Sequence, residues 1–320
     1  MHRLLASIAV FCFGFGISAS ADGLTVRTTT RMLSDPMAFL FDGQAEVSAL
    51  LGAGTDPHTY QPTRKDVRGF VEADAVAYHG LLFEALLLGL MKQLEGRKPV
   101  GVAAKFQPED QLLFAEGVED PHTWHDPILW VDTIVSLSHA LAEELGVSVA
   151  VERVALLQEA AALTDAWIKD AFASTPQESR IIVSAHDAFQ YYGTRYGLRL
   201  EPLLGLSTTS ETKLARVNEL VALIEAEGLS AVFSETSVES AGIAALREGA
   251  ARRGVDLRAL PPLFSDALGP DGEEGSTYFG MLIENTVNMV DAVSGQRPEP
   301  APALVEFLDF HGLMMREAAQ

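Results

Sequence analysis

The stretch VSVAVERVALLQEAAALTDAWIKDAF, residues 147–172, contains neither glycine nor proline. Val154, Leu157, Ala161, Ile168 and Phe172 recur in it at helical spacing. The pattern predicts one unbroken helix, about 39 Å long at roughly 1.5 Å per residue. Such a helix can run from one end of a two-lobed molecule to the other. An ordinary surface helix would show the same periodicity. What sets this one apart is its place near the midpoint of a 320-residue chain, with strand–helix alternation before it and again after it.

On the N-terminal side, 24–30, 46–51, 75–78 and 100–103 read as strands, and 32–41, 64–72 and 81–94 as helices. On the C-terminal side, strands are expected at 180–184, 200–206, 231–234 and 256–260, and helices at 188–196, 211–227, 240–253 and 276–293. A proline-rich linker, 296–302, precedes a last helix near 303–316. Alternation of this kind implies parallel sheets covered by helices. The expected fold is therefore α/β, with two lobes each holding a parallel sheet flanked by helices and joined by one long rigid helix. The corresponding division is 1–21, 22–145, 146–174 and 175–320. A chain of this length exceeds a typical single core, which also favours two lobes.

Residues 1–21 read as a cleavable secretory signal: His2 and Arg3, an apolar run from Leu4 to Ile17, then Ala19-Ser20-Ala21. Cys12, the sole cysteine, lies inside that run, and Phe11 occupies the place before it where a lipoprotein signal needs a small residue. The expected destination is the periplasm, without a lipid anchor and without disulfides or thiolate ligands. The net charge of −21 opposes nucleic-acid binding, which needs basic surface, and favours cations near the protein. No later apolar run reaches the ~20 residues that cross a bilayer.

Asp56-Pro57-His58 and Asp120-Pro121-His122 repeat one tripeptide, and His186-Asp187 offers a third histidine with an acidic neighbour. Proline stiffens the backbone just before each of the first two imidazoles and keeps it out of a helix. Histidine is the commonest metal-binding side chain. His58, His186 and Asp266 each follow an expected strand, at the carboxyl edge where open parallel sheets bind ligands. The separations are too long for a zinc finger or an H-E-x-x-H helix, and spacing alone leaves both metal binding and plain turn chemistry open.

Longer segments carry a resemblance. Gly54-Thr55-Asp56-Pro57-His58-Thr59-Tyr60-Gln61-Pro62-Thr63 with Asp66-Val67 resembles the first signature of the metal-binding (zinc/manganese) periplasmic solute-binding proteins of ABC transporters. Ala73-Asp74-Ala75-Val76-Ala77-Tyr78-His79-Gly80 with Glu84 is similar to the next block, with His79 in place of the usual Asn. Asp120-Pro121-His122-Thr123-Trp124-His125-Asp126-Pro127 is similar to the second ligand block, with His125 where Leu is common. Ser184-Ala185-His186-Asp187-Ala188-Phe189 with Tyr196-Gly197-Leu198, and Asp266-Ala267-Leu268-Gly269, resemble the third and fourth. The blocks run in the family's order over essentially the whole mature chain.

The resemblance implies His58, His122, His186 and Asp266 as metal ligands, and the long helix as a connector that restricts lobe movement. Three imidazoles and a carboxylate suit four-coordinate Zn2+, whereas Mn2+ prefers oxygen-rich shells. Family members resembling manganese or iron receptors tend to carry a carboxylate at the place of His186. The expected function is zinc capture and delivery to a membrane ABC permease with a separate ATPase subunit, by a monomeric, non-enzymatic receptor. A manganese or iron receptor is the alternative within the family, and a secreted zinc hydrolase the alternative outside it. Asp266 decides the latter, because a fourth protein ligand closes the position a water nucleophile needs.

His79 is expected to pack or cap, and His125 to take a solvated or hydrogen-bonded surface role. His139 and His311 are expected to be structural. Asp126, Asp187 and Glu235 are candidates to orient imidazole N–H groups. The stretch 106–120 has no histidine but holds Glu109, Asp110, Glu116, Glu119 and Asp120, an expected weak cation funnel. Without histidines there, zinc capture is expected to draw on a periplasmic donor protein.

Overall fold

The structure, a computed structural model, describes residues 23–115, 117–239 and 241–314. The expected signal segment, with Cys12, lies outside them. No helix among the described residues is long and apolar enough to cross a membrane.

Four short parallel strands open the fold: β1 (Leu24–Thr28), β2 (Ala45–Ala49), β3 (Ala75–Tyr78) and β4 (Val100–Val102), in the order β2-β1-β3-β4. Val26 pairs with Val47 on one side and Ala75 on the other. All four residues of β3 are buried, as a central parallel strand covered on both faces requires. The first helices are α1 (Arg31–Leu40), α2 (Arg64–Glu72) and α3 (Leu88–Leu94). Pro36 lies inside α1 and cannot donate to the Met32 carbonyl one turn back. The indole N–H of Trp130 donates to that carbonyl instead, at 3.1 Å. A tertiary partner thus keeps a proline inside a helix.

The helix expected over 81–94 forms only from Leu88. Gly80, Leu81 and Leu82 take φ of 91°, 50° and 62°, all left-handed, so the chain reverses before it can coil. The buried Glu84 carboxylate accepts from the His79 N–H at 2.9 Å, the Gly80 N–H at 3.4 Å and the Thr29 hydroxyl at 2.5 Å. The reversal drives Phe83 into the interior and leaves Leu82 62 % exposed.

Burial, only partly offset by these donors, raises the Glu84 carboxyl from its ordinary 4.5 to about 7. The folded state therefore holds the proton more tightly than the unfolded chain. The resulting stabilisation is complete below pH 4.5 and is lost as pH rises through about 7. It amounts to at most about 3–4 kcal/mol, at roughly 1.4 kcal/mol per pH unit. Glu84→Gln is expected to match the wild type near pH 4.5 and to exceed it at pH 8 in urea unfolding of the metal-free protein. A wild-type deficit that does not grow with pH would show that Glu84 stays ionised.

A small antiparallel hairpin follows, β5 (Phe114–Ala115) and β6 (Val118–Glu119), and then α4 (Pro127–Leu145), the helix that carries His139. Its N-cap is Asp126, whose carboxylate accepts from the N–H groups of Ile128 and Leu129 at 3.0 and 3.1 Å. Gly146 ends it in the left-handed conformation. The long helix, α5, spans Val151–Ala173, so it starts four residues later than residues 147–172 suggest. The segment between Gly146 and Val151 is the turn that folds α5 back on α4.

The C-terminal half holds β7 (Ile181–Ser184), α6 (Gln190–Tyr196), β8 (Arg199–Pro202), α7 (Leu214–Glu227), α8 (Ala241–Arg252), α9 (Tyr278–Ser294) and α10 (Pro302–Phe310). β7 and β8 pair in parallel, Ile181 opposite Arg199. The two further strands expected at 231–234 and 256–260 are reduced to isolated parallel bridges, Ala231 with Arg258 and Glu235 with Leu263. Pro261 and Pro262 carry no N–H and interrupt the ladder there. Single bonds still hold the order: the Phe233 N–H reaches the Val183 carbonyl and the Leu263 N–H the Ser234 carbonyl, each at 2.9 Å. The last helix stops at Phe310, ahead of Gly312 at φ 68°; 315 and 316 lie outside the described residues.

α5 does more than connect. It packs against α4, α9 and α10. Leu157, Ala160, Ala161 and Ile168 on it are at most 1 % exposed. One apolar cluster passes through it, joining Val26, Trp130 and Ile134 of the first half to Phe189, Leu282 and Val287 of the second. Each half also keeps its own smaller cluster, around Val76 and Met91 in one and Val183 and Leu220 in the other. Two lobes that share a close-packed core resist hinge opening, because interiors at crystal-like density deform little.

Candidate metal centre

The loop 50–63 leaves β2 at its carboxyl end and carries His58. Asp56 Oδ1 accepts the His58 N–H at 2.8 Å, bending the tripeptide into a tight turn. The loop then closes onto α2 through a capping box: Asp66 accepts the Thr63 N–H at 2.7 Å and donates its own N–H to the Thr63 hydroxyl. The second copy repeats the device. Asp120 Oδ1 accepts the His122 N–H at 2.9 Å and also meets His122 Nδ1 at 2.7 Å. In the other lobe, Glu235 does both jobs for His186. Oε1 accepts its N–H at 2.9 Å and Oε2 pairs with Nδ1. In His122 and His186 alike, a carboxylate on Nδ1 turns Nε2 toward the same point.

Asp266 faces these imidazoles. Its oxygens lie 3.2 Å from His186 Nε2, 3.5 Å from His122 Nε2 and 3.6 Å from His58 Nε2. One ligand atom from each of the four residues lies within 4.8 Å of the others. All four side chains are buried; the most exposed, His58, is 6 % accessible. The three Nε2 atoms and both Asp266 oxygens have no hydrogen-bond partner. Converging buried polar atoms that lack hydrogen-bond partners are costly unless a cation completes them.

Charge follows the same geometry. Burial pushes His58 down to about 3, against the pull of Asp266 and with the help of the other two imidazoles. Burial also opposes ionising Asp266, yet His186, His122 and His58 hold it below the usual carboxylate range. Burial would lower His186, but Asp266 and Glu235 on either side raise it well above the ordinary value. A metal bound by His186 Nε2 would have to displace that proton.

The centre lies between the lobes, His58 and His122 coming from the first and His186 and Asp266 from the second. Direct bonds tie the lobes around it. The Thr208 hydroxyl donates to Asp56 at 2.6 Å, and Trp124 Nε1 to the Ser265 carbonyl at 2.8 Å. The Tyr191 hydroxyl accepts from the Leu113 N–H and donates to the Asp120 carbonyl, clasping both ends of the hairpin before His122. Arg195 bridges Asp126 and Asp165.

The other expected residues fall in different places. His79 packs as expected: its ring stacks on Trp130 at 5.0 Å, and Nε2 meets the Thr30 hydroxyl at 2.6 Å. His125 is fully buried, contrary to the surface role expected of it. It lies against Phe189, with ring centroids 4.5 Å apart, and burial pushes it down to about 3. The single 3-10 turn Thr123–His125 that follows His122 carries it inward. Glu235 orients an imidazole, but Asp126 caps α4 and Asp187 accepts from Gln190 at 2.7 Å. Asp120 belongs to this orienting shell and not to an acidic funnel, being 1 % exposed. Its own motif could have signalled this, since it stands before His122 as Asp56 does before His58.

The family described as zinc-uptake complex component A, periplasmic (ZnuA), matches residues 26–292. The zinc-binding protein TroA of Treponema pallidum is 33% identical over 295 residues, 91% of this chain and 96% of TroA. The manganese-binding lipoprotein MntA of Bacillus subtilis is 32% identical over 274 residues, 84% of this chain and 90% of MntA. The solved structure of the periplasmic zinc-binding protein TroA superposes with a TM-score of 0.79 at 32% identity, over 85% of this chain and 99% of that one.

Proposed function

Because this chain belongs to the ZnuA family of metal-binding substrate-binding proteins of ABC transporters, we propose that its cargo is Zn2+, held by His58, His122, His186 and Asp266. Members of the family are solute-binding proteins and not enzymes; they act outside the cytoplasm and work with a membrane permease and an ATPase. The observation that carries the zinc reading is the donor set. Three unpartnered imidazole nitrogens and one carboxylate, buried within 4.8 Å of one another, match a closed tetrahedral site. Manganese, which MntA carries by its name, favours oxygen donors, and this centre offers only one carboxylate.

In this reading the ion sheds its water as it enters between the lobes, and His186 loses its proton. Release to the permease reverses both steps. Residues 1–21 act as a cleaved signal, and Phe11 ahead of Cys12 argues against lipid attachment. The division into 22–145, 146–174 and 175–320 corresponds to first lobe, connector and second lobe. A donor protein supplies the zinc.

The test has two arms. Competition against a chelator of known affinity is expected to give one tightly bound Zn2+ per chain and much weaker Mn2+ binding. Most nitrogen–oxygen sites rank these ions in that order, so the second arm is the metal content of the protein isolated from its native extracytoplasmic space. Zinc is expected there. Manganese in that preparation, or Mn2+ binding as tight as Zn2+, would overturn the zinc reading.

A further inference from the structure

We propose that Arg31 is an interlobe latch that holds Asp266 in the centre and sets how fast the ion leaves. The proposal rests on the metal-binding reading of that centre. Arg31 opens α1 in the first lobe, yet all three of its hydrogen bonds reach the second-lobe loop that follows Asp266. Nη1 donates to the Gly269 carbonyl at 2.8 Å, and Nη2 donates to the Ser276 carbonyl at 2.8 Å and to Asp271 Oδ1 at 2.5 Å. The Arg31 side chain is 12 % exposed and its bonds to the two carbonyls are partly shielded from water, whereas Asp271 is 45 % exposed and adds little as a surface pair.

The loop it grips behaves as one piece. The Gly269 N–H donates to the Gly275 carbonyl at 2.8 Å and closes the loop at its base. Gly275, at φ 79°, lies so close to the Phe264 ring that a Cβ there would stand 2.5 Å from it. A load on Gly269 or Ser276 is therefore carried through the folded loop rather than absorbed by it. Gly269 is three residues from Asp266, with no regular structure between them.

Asp266 itself makes no hydrogen bond from its carboxylate. Its backbone is steadied on one side by Asn285, which bonds both the N–H and the carbonyl of Phe264, and by Trp124 at the Ser265 carbonyl. On the other side, Arg31 ties the loop itself to the first lobe, and just beyond it the Asp35 carboxylate accepts the Tyr278 N–H at 2.9 Å. The planar fork of Arg31 reaches two carbonyls and a carboxylate at once, which a lysine cannot reproduce. Asp266 belongs to the same lobe as His186, and His58 and His122 to the opposite one, so the latch holds the carboxylate against the facing imidazoles.

Arg31→Met, made in the full-length protein, tests this with two measurements. In the metal-free protein, amide hydrogen exchange over 266–276 is expected to speed up about tenfold or more, while the amides of β1 and β3 keep their wild-type rates. Transfer of Zn2+ to excess chelator is expected to accelerate about tenfold, the rate change that about 1.4 kcal/mol produces. Arg153→Met, which removes a pairing with Asp42 and the Phe39 carbonyl but no bond to the loop, is expected to change neither. Unchanged exchange over 266–276, or exchange raised equally across the sheet, would overturn the latch. So would wild-type Zn2+ transfer by Arg31→Met. A wild-type protein that binds no Zn2+ would defeat the metal reading instead, and the exchange measurement would still decide whether Arg31 holds the loop.

Discussion

Replacing His186 with alanine is expected to cost about a hundredfold or more in Zn2+ affinity, the share of one ligand when roughly 10–16 kcal/mol is divided among four. The effect is large for two reasons. The centre is closed, so a lost imidazole is replaced by a water that must fit a buried space. The substitution also strands Glu235, a 4 % exposed carboxylate that pairs with both His186 Nδ1 and its N–H. Breaking a buried pair by removing one member costs about 3–5 kcal/mol, so a stability loss accompanies the affinity loss. Chelator competition on the purified variant, with urea unfolding of the metal-free form alongside, separates the two. A folded His186→Ala protein that retains wild-type zinc affinity would remove His186 from the ligand set.

Glu235→Ala is expected to have the next largest effect, although Glu235 is not itself in the ligand set. His186 would keep its place in the chain but lose the acceptor for its Nδ1 and the acceptor for its N–H. Each buried donor left unsatisfied costs about 1–3 kcal/mol, and loss of an orienting partner weakens a metal site about tenfold to a hundredfold. Glu235→Gln keeps one carbonyl oxygen and is expected to fall between alanine and wild type in both respects. Zinc affinity unchanged in Glu235→Ala would mean that packing alone aims His186.

Much of this molecule is legible in the sequence because its signals are local. The repeated Asp-Pro-His is a turn device whose parts are two residues apart, and both copies form the same Asp-to-N–H bond. The strand–helix alternation in the first half is equally local, since β3 and α2 fall on the residues that periodicity assigns to them. Periodicity misleads where a distant group intervenes. Residues 81–87 have helical composition, but the buried Glu84 carboxylate gathers donors from Thr29, His79 and Gly80 and turns the chain back. At Pro36 the helix expected over 32–41 does form, and Trp130, 94 positions away in sequence, supplies the donor that the proline lacks. His125 looks like a surface histidine three places from His122, and only packing against Phe189 shows it to be buried.

The sequence by itself determined which side chains could bind a metal and the alternating α/β plan, because residue chemistry and short-range turn geometry are properties of neighbouring positions. It could not decide that four residues spread from His58 to Asp266 meet within 4.8 Å, that Asp120 and Glu235 aim two of them, or that Arg31 ties the last one across the lobes. Those are properties of long-range packing. The core shared through α5 brings the lobes together, and their bonds across the centre set the distances between groups that no local pattern relates.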